Sequence, residues 1–249
     1  MDIHLARDPV AFARDAMEAI NPDIVEHYAC LIQYLLINPT DGAQRKGSSF
    51  PVESPQYIEW LAKKFAAGRT ARHPKRPQTI PDPMVSVILN QYFDCPEANL
   101  ETLKEGHLLS MGAENIVGDL LERYLASVLE PNGWVWCSGS TVTAIDFIKP
   151  PSLYEGNWTA VQVKNRNNTE NSSSTTVRKG KPIKLWHRTH ARKTETYWRT
   201  FPDPELTQLM SEEGFKHFVG HYLNALKDPN ASQPLFRAGH SNPTADRRS

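Results

Sequence analysis

The sequence is short of cysteine, of long apolar runs and of net charge, and each shortage removes a class of protein. Its three cysteines, Cys30, Cys95 and Cys137, are odd in number and lack metal-ligand spacing. That excludes a disulfide scaffold and a zinc ribbon, and suits reduced thiols in a cytoplasm. No stretch approaches the roughly 18 consecutive apolar residues of a membrane span, so no membrane partner is expected. Met1–Asp8 shows no basic segment followed by an apolar one, so no secretion signal is expected and a cytoplasmic location is. There are no internal repeats. The 28 basic and 28 acidic side chains cancel, which argues against a nonspecific nucleic-acid coat.

The distribution of charge differs from its sum. Nine basic residues fall between Asn165 and Arg199: Arg166, Arg178, Lys179, Lys181, Lys184, Arg188, Arg192, Lys193 and Arg199. Only Glu170 and Glu195 oppose them, and Trp186, His187, His190, Tyr197 and Trp198 are interleaved. A second basic stretch, Lys63–Arg76, includes Lys64, Arg69, Arg72 and Lys75. Lysine and arginine clustered in this way supply phosphate contacts to nucleic acid. A solvated surface loop is the plain alternative for either stretch alone.

Apolar spacing predicts helices over Pro9–Ile20, Asp23–Leu36, Gln56–Ala67, Glu101–Leu109, Glu114–Leu129 and Ser211–Leu226. A proline-rich segment, His73–Pro83, precedes a further apolar stretch, Met84–Phe93. Strands are expected at Trp134–Cys137, Val142–Ile148, Thr159–Val163 and Pro182–His187. The expected organisation is one α/β domain. Residues 1–100 form a helical N-terminal elaboration, 101–226 a core with a recognition segment, and 227–249 a polar flexible tail.

Three neighbouring segments carry chemistry. Gly118–Trp134 begins as an amphipathic helix bearing Glu122 and ends at Asn132-Gly133. Val142–Ile148 is a β-type run with Asp146 inside it, and Thr159–Lys164 is another that ends in a lysine. Hydrolysis of a phosphodiester requires charge neutralisation at the phosphate and an activated water, and divalent cations held by carboxylates provide both. Asp146 is the candidate central ligand, because an unpaired acid in a strand is otherwise costly. Glu122 and the backbone carbonyl of Val163 are further candidate ligands for Mg²⁺, which takes hard oxygens. Lys164 would orient the water or stabilise developing charge. Glu114, two turns before Glu122, competes with it: on a helical projection Glu114 falls on the apolar face and Glu122 at its edge. Glu114 also has a plain reading as a residue complementing the helix dipole.

This order and spacing resemble the PD-(D/E)XK nuclease core, a central mixed sheet flanked by helices. The resemblance favours Glu122, which stands some three turns before the pair Gly133-Trp134. The chain departs from the pattern at Gln162, where most members have an acid. A glutamine there keeps an oxygen ligand and removes one negative charge.

Ser110–Tyr124, Gly133–Gly139 and above all Gln162–Ser174 are similar to the SinI/AvaII family of type II restriction endonucleases, over most of Met84 to Leu226. The resemblance implies recognition of GG(A/T)CC in duplex DNA, cleavage between the guanines of each strand, a homodimer, and a cognate DNA methyltransferase as a separate protein. Asn165, Arg166, Asn168, Ser172, Ser173, Arg178, Lys179, Lys181, Lys184, Arg188, Arg192 and Lys193 are the candidate DNA contacts. A two-fold dimer reads a palindrome naturally, and Arg or Lys on guanine reads its G·C pairs. Two other functions compete: a repair or recombination nuclease that selects DNA structure, and a non-catalytic binder on a decayed nuclease fold. His217 and His221, at i and i+4 on the last helix, have no third ligand and read as surface residues.

Overall fold

The computed structural model describes residues 8–47, 50–152, 156–167 and 181–227. Among these it contains six α-helices and one four-stranded sheet. The helices are α1 (Pro9–Glu18), α2 (Val25–Ile37), α3 (Pro55–Arg69), α4 (Pro83–Gln91), α5 (Leu100–Leu129) and α6 (Glu212–Lys227). Three of them begin on the same two-residue signal, a capping side chain followed by proline. Asp8-Pro9, Ser54-Pro55 and Asp82-Pro83 each place a side-chain oxygen on a backbone N–H of the first turn.

The two helices expected on either side of Ser110–Ala113 are one 30-residue helix, α5. Gly112, between the two expected ranges, permits close approach: a Cβ there would lie 2.9 Å from the Lys75 carbonyl oxygen.

The strands are β1 (Val135–Trp136), β2 (Phe147–Lys149), β3 (Thr159–Asn167) and β4 (Ile183–His190), in the order β1-β2-β3-β4. The first two pairings are antiparallel and β3–β4 is parallel. The expected strand Val142–Ile148 is thus shorter than its β-branched composition suggests. Ala144 takes a left-handed conformation at φ 59°, and only Phe147 onward joins the ladder. Val142 forms a single bridge to Gly42.

The chain divides into two compact units, Met1–Thr70 with Glu122–Ser249, and Ala71–Leu121. In the first, register pairs Val135 with Ile148, Ile148 with Ala160, and Ala160 with Ile183. These residues line one sheet face and join a core with α1, α2 and α3, built on Tyr28, Leu31, Ile32, Leu35, Ile58, Leu61 and Phe65. Backbone meets backbone where α3 passes the turn after β1. A Cβ on Gly68 would stand 2.1 Å from the Gly139 nitrogen, and Gly139 itself has φ 70°. In the second unit, the segment before α4 is tied to α5 by the ion pairs Arg72–Asp119 and Arg76–Glu105.

Candidate active site

Asp146 lies one residue before β2, not within a strand, yet its backbone is held as a ladder residue would be. Its N–H donates to the Val161 carbonyl at 2.9 Å, and its carbonyl accepts from the Cys137 N–H at 2.8 Å. Continuing the alternation of the paired strands puts Cys137, Asp146, Gln162 and Lys164 on one face of the sheet. The carboxylate Oδ2 accepts the Val163 N–H at 2.7 Å. A strand residue's N–H and C=O point to the same edge, so the Val163 carbonyl also faces Asp146.

Asp146 is half-buried, and the loss of surrounding water pushes its pKa up from 3.8 to about 6. The Val163 N–H and the Lys164 ammonium pull in the other direction without cancelling that effect. Gln162 is 4% exposed, and Lys164 is half-buried. Around Asp146 the face therefore brings together a partly desolvated carboxylate, the Gln162 amide oxygen and the Lys164 ammonium.

Glu122 projects from the end of α5 that belongs to this unit. Its Oε2 accepts the Trp136 indole N–H at 2.9 Å. The Trp136 ring is in turn covered by two guanidinium groups, Arg69 at 5.2 Å and Arg123 at 5.3 Å from its centroid. Arg69 makes a bidentate pair with Glu130, at 2.9 and 2.6 Å. Arg123, 1% exposed, donates to the carbonyls of Gly68, Arg69 and Thr70 and so caps the C-terminus of α3. Burial, then the charges of Asp146 and more weakly of Glu122, raise the Cys137 thiol well above its ordinary pKa. Trp136 pairs with Phe147, so the ring that holds Glu122 lies on the sheet face opposite Asp146. Glu114, expected on the apolar face, is exposed and belongs to the other unit.

Among the described residues no three His, Cys, Asp or Glu side chains converge as a ready-made metal cage. A cation on this face would have one or two carboxylates, a backbone carbonyl, the Gln162 amide oxygen and water. That all-oxygen set fits Mg²⁺, which keeps several waters and uses few carboxylates.

The basic residues sort into distinct groups. Lys181 pairs with the buried Asp41, and Arg188 makes a bidentate pair with Glu212 at 2.7 and 2.8 Å. Arg188 also donates to Asn165 Oδ1 at 2.9 Å. These three side chains, expected on DNA, are engaged inside the protein. Lys184 is exposed, but its register with Val161 places it on the face opposite Asp146. Arg166 is exposed on the Asp146 face, and Arg192 and Lys193 are exposed in the turn after β4. Asn168, Ser172, Ser173, Arg178 and Lys179 lie outside the described residues. His217 and His221 are exposed.

The sequence reading passed over two features of the site. One is the Arg123 cap, whose signal was an arginine inside the apolar run Leu120–Leu125. The other is His187, the β4 register partner of Lys164 on the same face.

The sequence model of the family described as SinI restriction endonuclease matches residues 10–225. The type II restriction enzyme SinI of Salmonella infantis is 45% identical over 221 residues, covering 86% of this chain and 94% of that protein. The type II restriction enzyme Eco47I of Escherichia coli is 45% identical over 213 residues, covering 85% and 92%.

Proposed function

The chain belongs to the SinI restriction endonuclease family, and from that premise we propose that its sheet face bearing Asp146, Gln162 and Lys164 is a PD-(D/E)XK-type centre that cuts duplex DNA. The observation that carries the reading is the convergence of these three side chains on one face, beside the Val163 carbonyl. Asp146, Glu122 and the Val163 carbonyl are the ligands assigned to Mg²⁺. When bound, Mg²⁺ supplies charge neutralisation at the scissile phosphate and lowers the pKa of water.

The chain's own groups have separate tasks. The Val163 N–H fixes the Asp146 carboxylate, and the Trp136 N–H fixes Glu122. Lys164 presents its ammonium on the reacting face, where it hydrogen-bonds the attacking water or the charge that develops on phosphate. Gln162 contributes an oxygen without a charge, which leaves the site less negative than a third carboxylate would. Arg166, Arg192 and Lys193 are the exposed cations assigned to phosphate or base contacts. Among the described residues no helix is long and apolar enough to cross a membrane.

The finer specificity follows the sequence resemblance: GG(A/T)CC, cut between the guanines on each strand. A homodimer would place one centre on each strand of the palindrome, and a separate methyltransferase would protect host sites.

The two helix acids separate this assignment from its competitor. Under single-turnover conditions, Glu122→Gln should slow cleavage of a duplex carrying the site by about 10²-fold or more, since it removes a ligand charge while sparing the Trp136 hydrogen bond. Glu114→Gln should cut at the wild-type rate. The reverse result would transfer the ligand role to Glu114.

A further inference from the structure

Asn165 directly follows Lys164 in β3, and β4 holds it at two points. Its Oδ1 accepts the Arg188 Nε–H at 2.9 Å, and its carbonyl accepts the Thr189 hydroxyl at 3.0 Å. Asn165 and Arg188 each follow a member of the register pair Lys164–His187, so by alternation they lie on the face opposite Lys164. Arg188 is in turn gripped by the start of α6. Its Nη1 donates to both oxygens of Glu212, the first residue of that helix, at 2.7 and 2.8 Å. Its guanidinium stands 5.3 Å from the centre of the Phe215 ring, and Glu212 also accepts the Trp198 indole N–H at 3.2 Å. The same turn of α6 grips α5 two residues past Glu122. The Tyr124 hydroxyl accepts the Ser211 N–H at 3.1 Å, and its ring packs against Phe215 at 5.5 Å. Gly214 permits the approach: a Cβ there would stand 2.5 Å from the Tyr124 hydroxyl oxygen.

We propose that Arg188 and Glu212 are positioning residues for cleavage: through them the first turn of α6 clamps the strand bearing Lys164 and the end of α5 bearing Glu122 in one arrangement. The Arg188 and Glu212 side chains are only 12% and 23% exposed. A pair so sheltered adds little stability, because the water lost by two charges costs about what their attraction returns, and apolar side chains would hold a helix on a sheet as well. What the forked guanidinium adds is direction, since one rigid planar group joins Asn165 to Glu212 at fixed angles. With its side chain and its carbonyl both held, Asn165 leaves the preceding residue, Lys164, one orientation from which to present its ammonium. The purpose of the clamp rests on the proposed nuclease centre; its geometry does not. If Arg188 instead left Glu212 to contact DNA, as its residue type suggests, loss of the Glu212 charge would help binding.

Glu212→Gln in the full chain tests it, since it keeps an acceptor for Trp198 and removes the charge that holds Arg188. Single-turnover cleavage of a duplex carrying the site, at saturating protein, should slow by about 10-fold or more. The Kd for the same duplex in EDTA should stay at the wild-type value. Arg188→Lys, which cannot reach Asn165 and both Glu212 oxygens at once, should show the same split. A Glu212→Gln protein that binds DNA more tightly, with a steeper salt dependence, and cuts no slower than wild type would place Arg188 on phosphate and overturn the proposal. So would a variant that melts earlier yet cuts at the wild-type rate. Should Glu212→Gln lose its fold, Asn165→Ala removes only the acceptor on β3; it should slow cleavage likewise, and a wild-type rate there would overturn the proposal. Amide exchange followed by NMR, without DNA or metal, reads the clamp apart from the chemistry. Lys164, Asn165 and Arg166 should exchange faster in Glu212→Gln, while Ala160 and Val161 keep their wild-type rates. In a protein that never cuts, that pattern would uphold the clamp and discard the nuclease reading, whereas unchanged exchange would overturn the clamp itself.

Discussion

Asp146→Asn should abolish cleavage, by about 10³-fold or more, and leave a protein at least as stable as the wild type. The lost rate corresponds to about 4 kcal/mol of transition-state stabilisation, the scale expected when a central metal carboxylate is removed. The stability result follows from the titration. Asp146 holds its proton more tightly in the fold than in the unfolded chain, with a pKa raised from 3.8 to about 6. The charged form is therefore penalised in the folded state. The penalty is fully present above pH 6, shrinks as pH falls, and vanishes below about pH 4. Taken whole, the shift would correspond to about 3 kcal/mol; discounted for the partial exposure of the carboxylate, about 1 kcal/mol remains. An asparagine keeps an oxygen for the Val163 N–H and carries no charge. Thermal melts at pH 7.5 should show the variant equal or slightly more stable, with the advantage gone at pH 4. Cleavage by the wild type should likewise fall below about pH 6 at limiting Mg²⁺, where proton and metal compete, and recover when Mg²⁺ is raised. A variant clearly less stable than wild type at pH 7.5 would show that Asp146 serves the fold and not the reaction.

The largest effect on stability is expected at Arg123. Its guanidinium satisfies three carbonyls at the C-terminus of α3, at 3.1, 3.2 and 2.8 Å, and covers the rings of Trp136 and Tyr222. Methionine of similar length would keep some packing but leave three helix-end carbonyls without these donors and lose the charge that complements the helix dipole. The cost should be about 3 kcal/mol, which for a chain of this size lowers the melting temperature by about 10 °C. Arg123→Lys keeps the charge but cannot fork across three carbonyls, so it should fall between the two. Denaturant unfolding of the three proteins measures this directly. A methionine variant within 1 kcal/mol of wild type would mean that water replaces the guanidinium at the helix end.

Much of this architecture was legible because local chemistry and tertiary packing agree. The pairs Asp8-Pro9, Ser54-Pro55 and Asp82-Pro83 each start an α-helix, and the β-branched run from Thr159 marks the central strand of the acid–amide–lysine face. Where they disagreed, the sequence misled. Val142–Ile148 reads as one strand, but the left-handed Ala144 splits it, and a single alanine gives no warning of positive φ. Glu101–Leu109 and Glu114–Leu129 read as two helices, but Gly112 between them serves a close backbone approach inside a single helix. The basic residues after Lys164 were identified by type, yet type does not reveal which ones pair internally. Arg188 is held by Glu212, 24 residues away in sequence, and Lys181 by Asp41, 140 away. Such long-range partners leave no local signature. Face assignment from strand register then separated Arg166 from Lys184, a distinction the spacing of basic residues alone cannot make.

The most direct test of the central claim is digestion of a fully sequenced plasmid by the purified protein, with Mg²⁺ and with EDTA. The account predicts discrete fragments in Mg²⁺ alone, with every end mapping between the guanines of GG(A/T)CC. Intact plasmid in both conditions, by a protein that still binds the DNA, would contradict the assignment of a hydrolytic centre to Asp146, Gln162 and Lys164.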